Sequence, residues 1–492
     1  MRTMLTLMAG VALLAGAPAH SQPASPKASA TAPATPVFAR LSDAEIARRV
    51  QTVVKRYQPR PEFVGLFVAV ARGDRLIVDE GVGMADLEWR APADARSTFR
   101  IGSLTKQFTA AAIMKLQEQG KIGLDDALSK YLPDFDTEGH TVTIRQMLTH
   151  TSGIPNYTAQ PGFFAKESPL DLTDQELLAT IKGVPFDFEP GTKWAYSNTN
   201  YYLLGMIVAK VSGMAYADYM QQAFFQPLGL THTRYGATAP IISERAQGYS
   251  YRPASHEHLN AAAISMNVPG GAGALISTAG DLLRWQIALT GGRAVTPASY
   301  HEMIASAVPT GQGDAKYGFG LGIGTQLGHE VISHNGGING FNSDLSYVPD
   351  LGLGIAVISN SDAMPSDAVS NDIFATLTSD KPLPPFRTTP QPGAEATLRK
   401  FIENQAAGTP DYASMSPSLA DAVRAQLPTL QPLFKGWGAI TAITYIGTAL
   451  DGVDSYEVHF AAGPSPIFNI FLGPDGKIVF TNFQPVNPPA PH

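Results

Sequence analysis

The chain has 492 residues, 44 % of them hydrophobic and 16 % charged, which is enough apolar material for more than one globular core. A formal net charge of -7 leaves no basic surplus to neutralise phosphates, so no nucleic-acid partner is expected. The absence of cysteine excludes disulfides, a thiol nucleophile, zinc–thiolate centres and a lipid-anchored amino-terminal cysteine.

In chain order, Arg2 precedes an uncharged, mostly apolar run of 13 residues from Met4 to Gly16, and the small residues Ala17, Ala19 and Ser21 follow. This pattern predicts a secretory signal peptide over residues 1–21, and with it a periplasmic or extracellular location. No other uninterrupted apolar run reaches spanning length, so no transmembrane span is expected in the mature protein. Residues 22–38 are rich in Pro, Ala, Ser and Thr and read as a flexible linker. A helix is predicted near Ser42–Tyr57. Apolar, β-branched runs at Phe63–Val70 and Leu76–Val78 flank Arg72-Gly73-Asp74 and predict a hairpin. A helix is predicted from Ser103 to about Gln119, with Leu104, Phe108, Ala111 or Ala112, and Leu116 on one face and Gly120 as its stop. Leu282–Leu289 reads as helix; Lys316–Ile323, His329–Ser333, Ser343–Val348 and Gly354–Ser359 read as strands. Strands at both ends with helices between them predict an α+β domain over residues 39–380: one antiparallel sheet built from both ends of the segment, flanked by helices.

Prolines 382, 384, 385, 390 and 392 mark a linker at 381–393, because proline removes backbone donors and biases its neighbour away from helix. Residues 394–492 read as a small α+β domain. Helices are predicted at Ala394–Asn404 and Leu419–Phe434, then strands at Ile440–Ala449, Ser455–Ala461, Ile467–Leu472 and Lys477–Phe483, the last after the turn Gly473-Pro474-Asp475-Gly476. Its order, helices and then a meander, resembles a cystatin-like roll and implies an accessory role.

Three short patterns carry the chemistry. Ser103-Leu104-Thr105-Lys106 places an amine beside a hydroxyl at helical spacing, and a serine hydroxyl becomes a nucleophile only when a base takes its proton. Tyr196-Ser197-Asn198 offers a phenol and an amide two residues apart. Either the phenol or the amine becomes a neutral-pH base if its surroundings shift its pKa, and the two would titrate together, so the base is left open between Lys106 and Tyr196. His334-Asn335-Gly336 ends a predicted strand, where glycine permits close backbone approach to a ligand. Each pattern alone is also what a capping serine, a core tyrosine or a glycine turn produces. Each occurs once, and they come in the order Ser-x-x-Lys, Tyr-x-Asn, His-x-Gly.

With these elements the chain resembles the serine β-lactamase and penicillin-binding protein superfamily, in its class C β-lactamase-like branch, over about residues 40–380. Phe99-Arg100-Ile101-Gly102, Met147–Gly153, Gly270–Gly273 and Ser277–Leu282 resemble further segments of that family. The resemblance implies a β-lactamase/transpeptidase-like fold and an acyl-enzyme on Ser103. It implies that Lys106 and Tyr196 move the proton, that Asn198, His334 and Gly336 bind substrate, and that the N–H groups of Ser103 and Gly337 form an oxyanion hole. It implies no cofactor and no metal, and a small-molecule or peptide acyl substrate; it leaves the oligomeric state open. His334 stands where many relatives carry lysine, and a histidine is only partly charged at neutral pH, so a dedicated β-lactamase fits less well. The expected function is therefore hydrolysis of an amide or ester, β-lactamase- or D-amino-acid-peptidase-like. A carboxylic-ester hydrolase and a non-turnover penicillin-binding sensor are the alternatives. His256-Glu257-His258 reads as an exposed loop rather than a metal site, and His150 reads as structural.

Overall fold

The computed structural model describes residues 36–252, 255–448 and 452–484. The expected signal peptide and residues 22–35 of the linker lie outside the described residues. Residues 36–251 and 257–383 group into one compact unit, and residues from 384 onward into a second.

The first unit is organised by a nine-stranded antiparallel sheet. Its strands are β1 (Gly65–Arg72), β2 (Arg75–Asp86), β3 (Ala91–Pro92), β4 (Val308–Pro309), β5 (Lys316–Tyr317), β6 (Gly322–Gln326), β7 (His329–Ile338), β8 (Phe341–Val348) and β9 (Leu353–Ser359), in the order β3-β2-β1-β9-β8-β7-β6-β5-β4. The early strands thus join the late ones through β1 and β9, in register from Leu66 opposite Ser359 to Arg72 opposite Leu353. Both central strands are buried along almost their whole length, as strands are when both faces of a sheet are covered. The cover comes from α1 (Asp43–Tyr57), α4 (Ala279–Thr290) and α5 (Ser366–Thr378). Between them in sequence lie α2 (Thr105–Glu118) and α3 (Asn198–Ser212). Ser42 caps α1 by accepting from the Glu45 N–H, and Tyr57 on α1 donates to Asp372 of α5 at 2.9 Å.

Three expectations are corrected here. Lys316–Ile323 is not one strand: β5 and β6 are separate, joined by a turn in which Gly318 N–H donates to Leu321 O at 2.8 Å. The glycines at 318 and 320, read as part of the strand, make the turn. Helix α2 is not one-sided: Thr105 through Met114 are all buried. It runs through the middle of the unit, and its polar side chains find partners inside. Thr109 donates to Gly271 O at 2.6 Å and Gln107 accepts from Trp285 Nε1 at 3.3 Å. A short three-residue turn, Gly102–Leu104, precedes α2, so Ser103 sits just before the helix rather than in it.

The second unit carries α6 (Ala394–Ala407), α7 (Pro417–Trp437) and the meander β10 (Ile440–Thr448), β11 (Asp454–Phe460), β12 (Ile467–Leu472) and β13 (Ile478–Gln484), paired in sequence order. Leu398, Ile402, Phe434, Tyr456, Phe468 and Ile470 form its core. Helix α7 passes through Pro428 and Pro432, residues that ordinarily break a helix. Its last turn is held by Trp437, which packs on Phe460 and Phe483 with ring centroids 5.1 and 5.6 Å apart.

Candidate active site

Ser103 is placed by the turn before α2 and by the end of β7. Ile101 O accepts from Ser343 Oγ of β8 at 2.9 Å. A Cβ on Gly336 would lie 2.1 Å from Ile101 O, so only glycine lets β7 pass this close to the backbone leading into the serine. One residue further along, Gly337 N lies 3.1 Å from where a Cβ on Gly102 would stand. The backbone beside Ser103 and the backbone of Gly337 are therefore neighbours, the arrangement an oxyanion hole needs.

In the first turn of α2, Lys106 reaches back to this point. It has no solvent exposure. Its Nζ lies 3.2 Å from Ser103 Oγ, 2.8 Å from Asn198 Oδ1 and 2.8 Å from Ala272 O. No carboxylate pairs with it among the described residues, and burial without a counter-charge pulls its pKa well below the ordinary lysine value. Ala272 O is delivered by the glycine-rich segment at 270–273. A Cβ on Gly271 would lie 2.7 Å from Tyr201 O and 2.9 Å from Gly205 Cα of α3, so that segment packs directly on helix backbone.

Tyr196 shares a hydrogen bond with Ser103, and Lys106 Nζ sits 4.8 Å over the tyrosine ring. Burial raises the phenol's pKa, and the bond to Ser103 lowers it by less. The segment carrying Tyr196 and Asn198 is gripped by His150. Its backbone O accepts from Ala195 N–H at 3.0 Å and its Nδ1 from Ser197 N–H at 3.2 Å, while its ring packs 4.4 Å from that of Tyr196. His150 has a positive φ of 58°, and burial lowers its pKa.

His334 is 7 % exposed, and both ring nitrogens are engaged within the protein. Nδ1 lies 2.6 Å from Asn335 O, which can only accept, so Nδ1 carries the hydrogen. Nε2 lies 2.9 Å from the Tyr317 hydroxyl. Burial, and then the charge of Lys106, lower the His334 pKa to about 4, against a smaller opposing effect of Asn335 O. The ring is uncharged at neutral pH, with Nε2 accepting from Tyr317.

All the residues singled out in the three sequence patterns thus come to one place. Sequence reasoning missed Tyr317, Ala272 O and Thr158, whose Oγ1 accepts from Asn198 Nδ2 at 3.1 Å. None lies in a short pattern of its own, although Ala272 falls inside a segment already noted. His258 lies apart on the strand Glu257–Asn260, and no group of His, Asp and Glu suited to a metal ion occurs among the described residues.

A buried amine with no acidic partner among the described residues, beside a serine hydroxyl, in a unit built of an antiparallel sheet flanked by helices, defines a serine hydrolase of the β-lactamase/transpeptidase fold. The Beta-lactamase family model matches residues 50–379, and the chain belongs to that family. It is 33 % identical over 313 residues to penicillin-binding protein 4* of Bacillus subtilis, a match covering 60 % of this chain and 68 % of that protein. It is 25 % identical over 321 residues to protein flp of Staphylococcus aureus, covering 64 % of this chain and 63 % of that one. Among solved structures, a D-stereospecific amidohydrolase from Streptomyces sp. is 28 % identical with a TM-score of 0.59, covering 70 % of this chain and all of that one.

Proposed function

We propose that this chain is an exported serine hydrolase that cleaves an amide or ester through an acyl-enzyme on Ser103. The observation that carries the reading is Lys106: fully buried, without an acidic partner among the described residues, and 3.2 Å from Ser103 Oγ. Burial favours the neutral amine and the neutral phenol alike, which makes Lys106 the base and Tyr196 the group that returns a proton. Ser103 Oγ attacks the carbonyl carbon while its proton passes to Lys106 Nζ. The oxyanion is held by the N–H groups of Ser103 and Gly337. The carbonyl reforms as the bond to the leaving group breaks, and Tyr196 protonates that group while taking a proton from Lys106. Water then reverses the sequence to release the acid.

The third element argues for the kind of substrate. A lysine there would offer a fixed charge to a carboxylate beside the scissile bond. His334 is uncharged and its nitrogens are occupied, which favours an uncharged leaving side, such as an amino-acid amide or a simple ester, over a β-lactam or a peptide with a terminal carboxylate. The D-stereospecific amidohydrolase with which the chain shares its fold supports amides of D-amino acids first, D-peptidase-like chemistry next and a carboxylic-ester hydrolase as the alternative. Export rests on the pattern of residues 1–21. No helix among the described residues is long and apolar enough to cross a membrane. The second unit is proposed as an accessory domain.

Turnover of D- and L-phenylalanine amide and of p-nitrophenyl butyrate, with Ser103→Ala alongside, tests the reading. Hydrolysis of the D-amide or the ester that disappears in Ser103→Ala is expected. Full activity in that variant would remove Ser103 from the mechanism.

A further inference from the structure

The amide of Asn198 could meet Lys106 through its oxygen or its nitrogen, and the surroundings decide which. Asn156 Oδ1 receives the backbone N–H of Asn198 at 3.1 Å and of Thr158 at 3.3 Å. Two backbone donors on one atom identify it as the oxygen. Thr158 Oγ1 stands 3.0 Å from the same atom, and between a hydroxyl and a carbonyl oxygen only the hydroxyl donates. The Thr158 hydrogen is therefore committed, and its lone pairs call for a donor. The neighbouring atom of the Asn198 side chain, 3.1 Å away, is accordingly the nitrogen. That turns the oxygen end toward Lys106 Nζ at 2.8 Å.

We propose that Thr158 is a positioning residue whose hydroxyl sets the flip of the Asn198 amide and thereby aims the Lys106 lone pair at Ser103. This rests on the reading of Lys106 as the base. A neutral amine has two hydrogens and one lone pair. Asn198 Oδ1 and Ala272 O, each at 2.8 Å, only accept. They take both hydrogens and leave the lone pair for the Ser103 hydroxyl at 3.2 Å. When the serine proton has moved to Nζ, the ammonium has three hydrogens and the same three oxygens around it. With the amide flipped, an Asn198 N–H would face the lysine and compete with Ser103 for its lone pair. A loop anchor with no catalytic consequence would need none of this directionality.

The test uses the purified protein with a fluorophosphonate probe, whose labelling rate reports how well the serine is activated. Thr158→Val keeps the side-chain shape without the hydroxyl, and Thr158→Ala serves if valine prevents folding. Both should label on the order of tenfold more slowly, or worse, a part of the full contribution of a general base. Thr158→Ser, which keeps the hydroxyl, should label within about twofold of the wild type, because its hydrogen-bond inventory is the same. The concentration of probe at half-maximal rate should stay unchanged. Wild-type labelling rates in both hydroxyl-free variants would overturn the proposal. Labelling of Ser103→Ala at the wild-type rate, or none of the wild type, would instead reject Ser103 and Lys106 as the reacting pair. In that case hydrogen exchange of the Asn198 side-chain amide, read in 15N-asparagine-labelled protein, still decides the orientation. It should be slowed in the wild type and faster in Thr158→Val; equal rates would overturn it.

Discussion

Each unit of the molecule buries an ionisable group completely, and treats it in the opposite way. In the second unit Asp454 is fully compensated. Its Oδ1 meets Arg387 Nη2 at 2.9 Å and Thr448 Oγ1 at 2.7 Å, and its Oδ2 meets Arg387 Nη1 at 3.0 Å and Gln391 N–H at 2.6 Å. In the first unit Lys106 has three neutral oxygens and, among the described residues, no counter-ion. A buried charge with its partners in place ties segments together, here the residues before α6 to the meander. A buried amine denied a counter-charge gives up its proton instead, and that is what a base near neutral pH requires. Burial alone therefore does not distinguish structural from reactive groups; the identity of the partners does.

This contrast can be broken at either end. The largest effect is expected for Lys106→Met, which removes the amine but keeps the stem. Acylation should slow by about 10²- to 10⁴-fold, the usual contribution of a general base, while the thermal midpoint falls only modestly, since the change strands no counter-ion and leaves two carbonyl oxygens, Asn198 Oδ1 and Ala272 O, without their donor. A large loss of stability with activity retained would mean that the lysine is structural. At the other end, Asp454→Asn should leave acylation of Ser103 unchanged and destabilise the second unit by about 2–4 kcal/mol, because it strands a partly buried guanidinium. Differential scanning calorimetry beside the labelling assay separates the two outcomes.

A smaller effect sharpens the comparison by pH. The folded pKa of His334, about 4, lies below the ordinary 6.5. Between those values the unfolded chain binds more protons than the folded one, so this residue's contribution to stability is present above about pH 6.5 and is lost as the pH falls toward 4. Urea midpoints across that window should therefore fall less steeply in His334→Gln than in the wild type. An identical slope would show that His334 is not held neutral.

Much of the fold was legible in the sequence because local patterns and long-range pairing agree. The Gly73 turn and the four-strand meander both follow local rules. The parts that were not legible follow from tertiary context. Helix α2 has no polar face because it is enclosed on every side, and periodicity cannot signal enclosure. Helix α7 continues through two prolines because aromatic packing at its end outweighs local propensity. At the site, Ser103, Lys106, Tyr196, Asn198 and His334 were legible as short patterns. Tyr317 was not, because its role depends on a tautomer that only the Asn335 carbonyl fixes. Thr158 was not, because its role is a direction of donation, and residue identity alone does not encode that.

The central claim is that Ser103 is activated by a neutral Lys106, and the pH dependence of a single acylation event tests it most directly. Time-resolved intact mass after mixing with p-nitrophenyl butyrate, run from acid to alkaline pH, should show one added butyryl group on the wild type and none on Ser103→Ala. Its rate should rise with pH and level off well below the ordinary lysine pKa, and Lys106→Met should abolish that rise. An adduct on Ser103→Ala, or a rate in Lys106→Met with the wild-type magnitude and pH profile, would contradict the account.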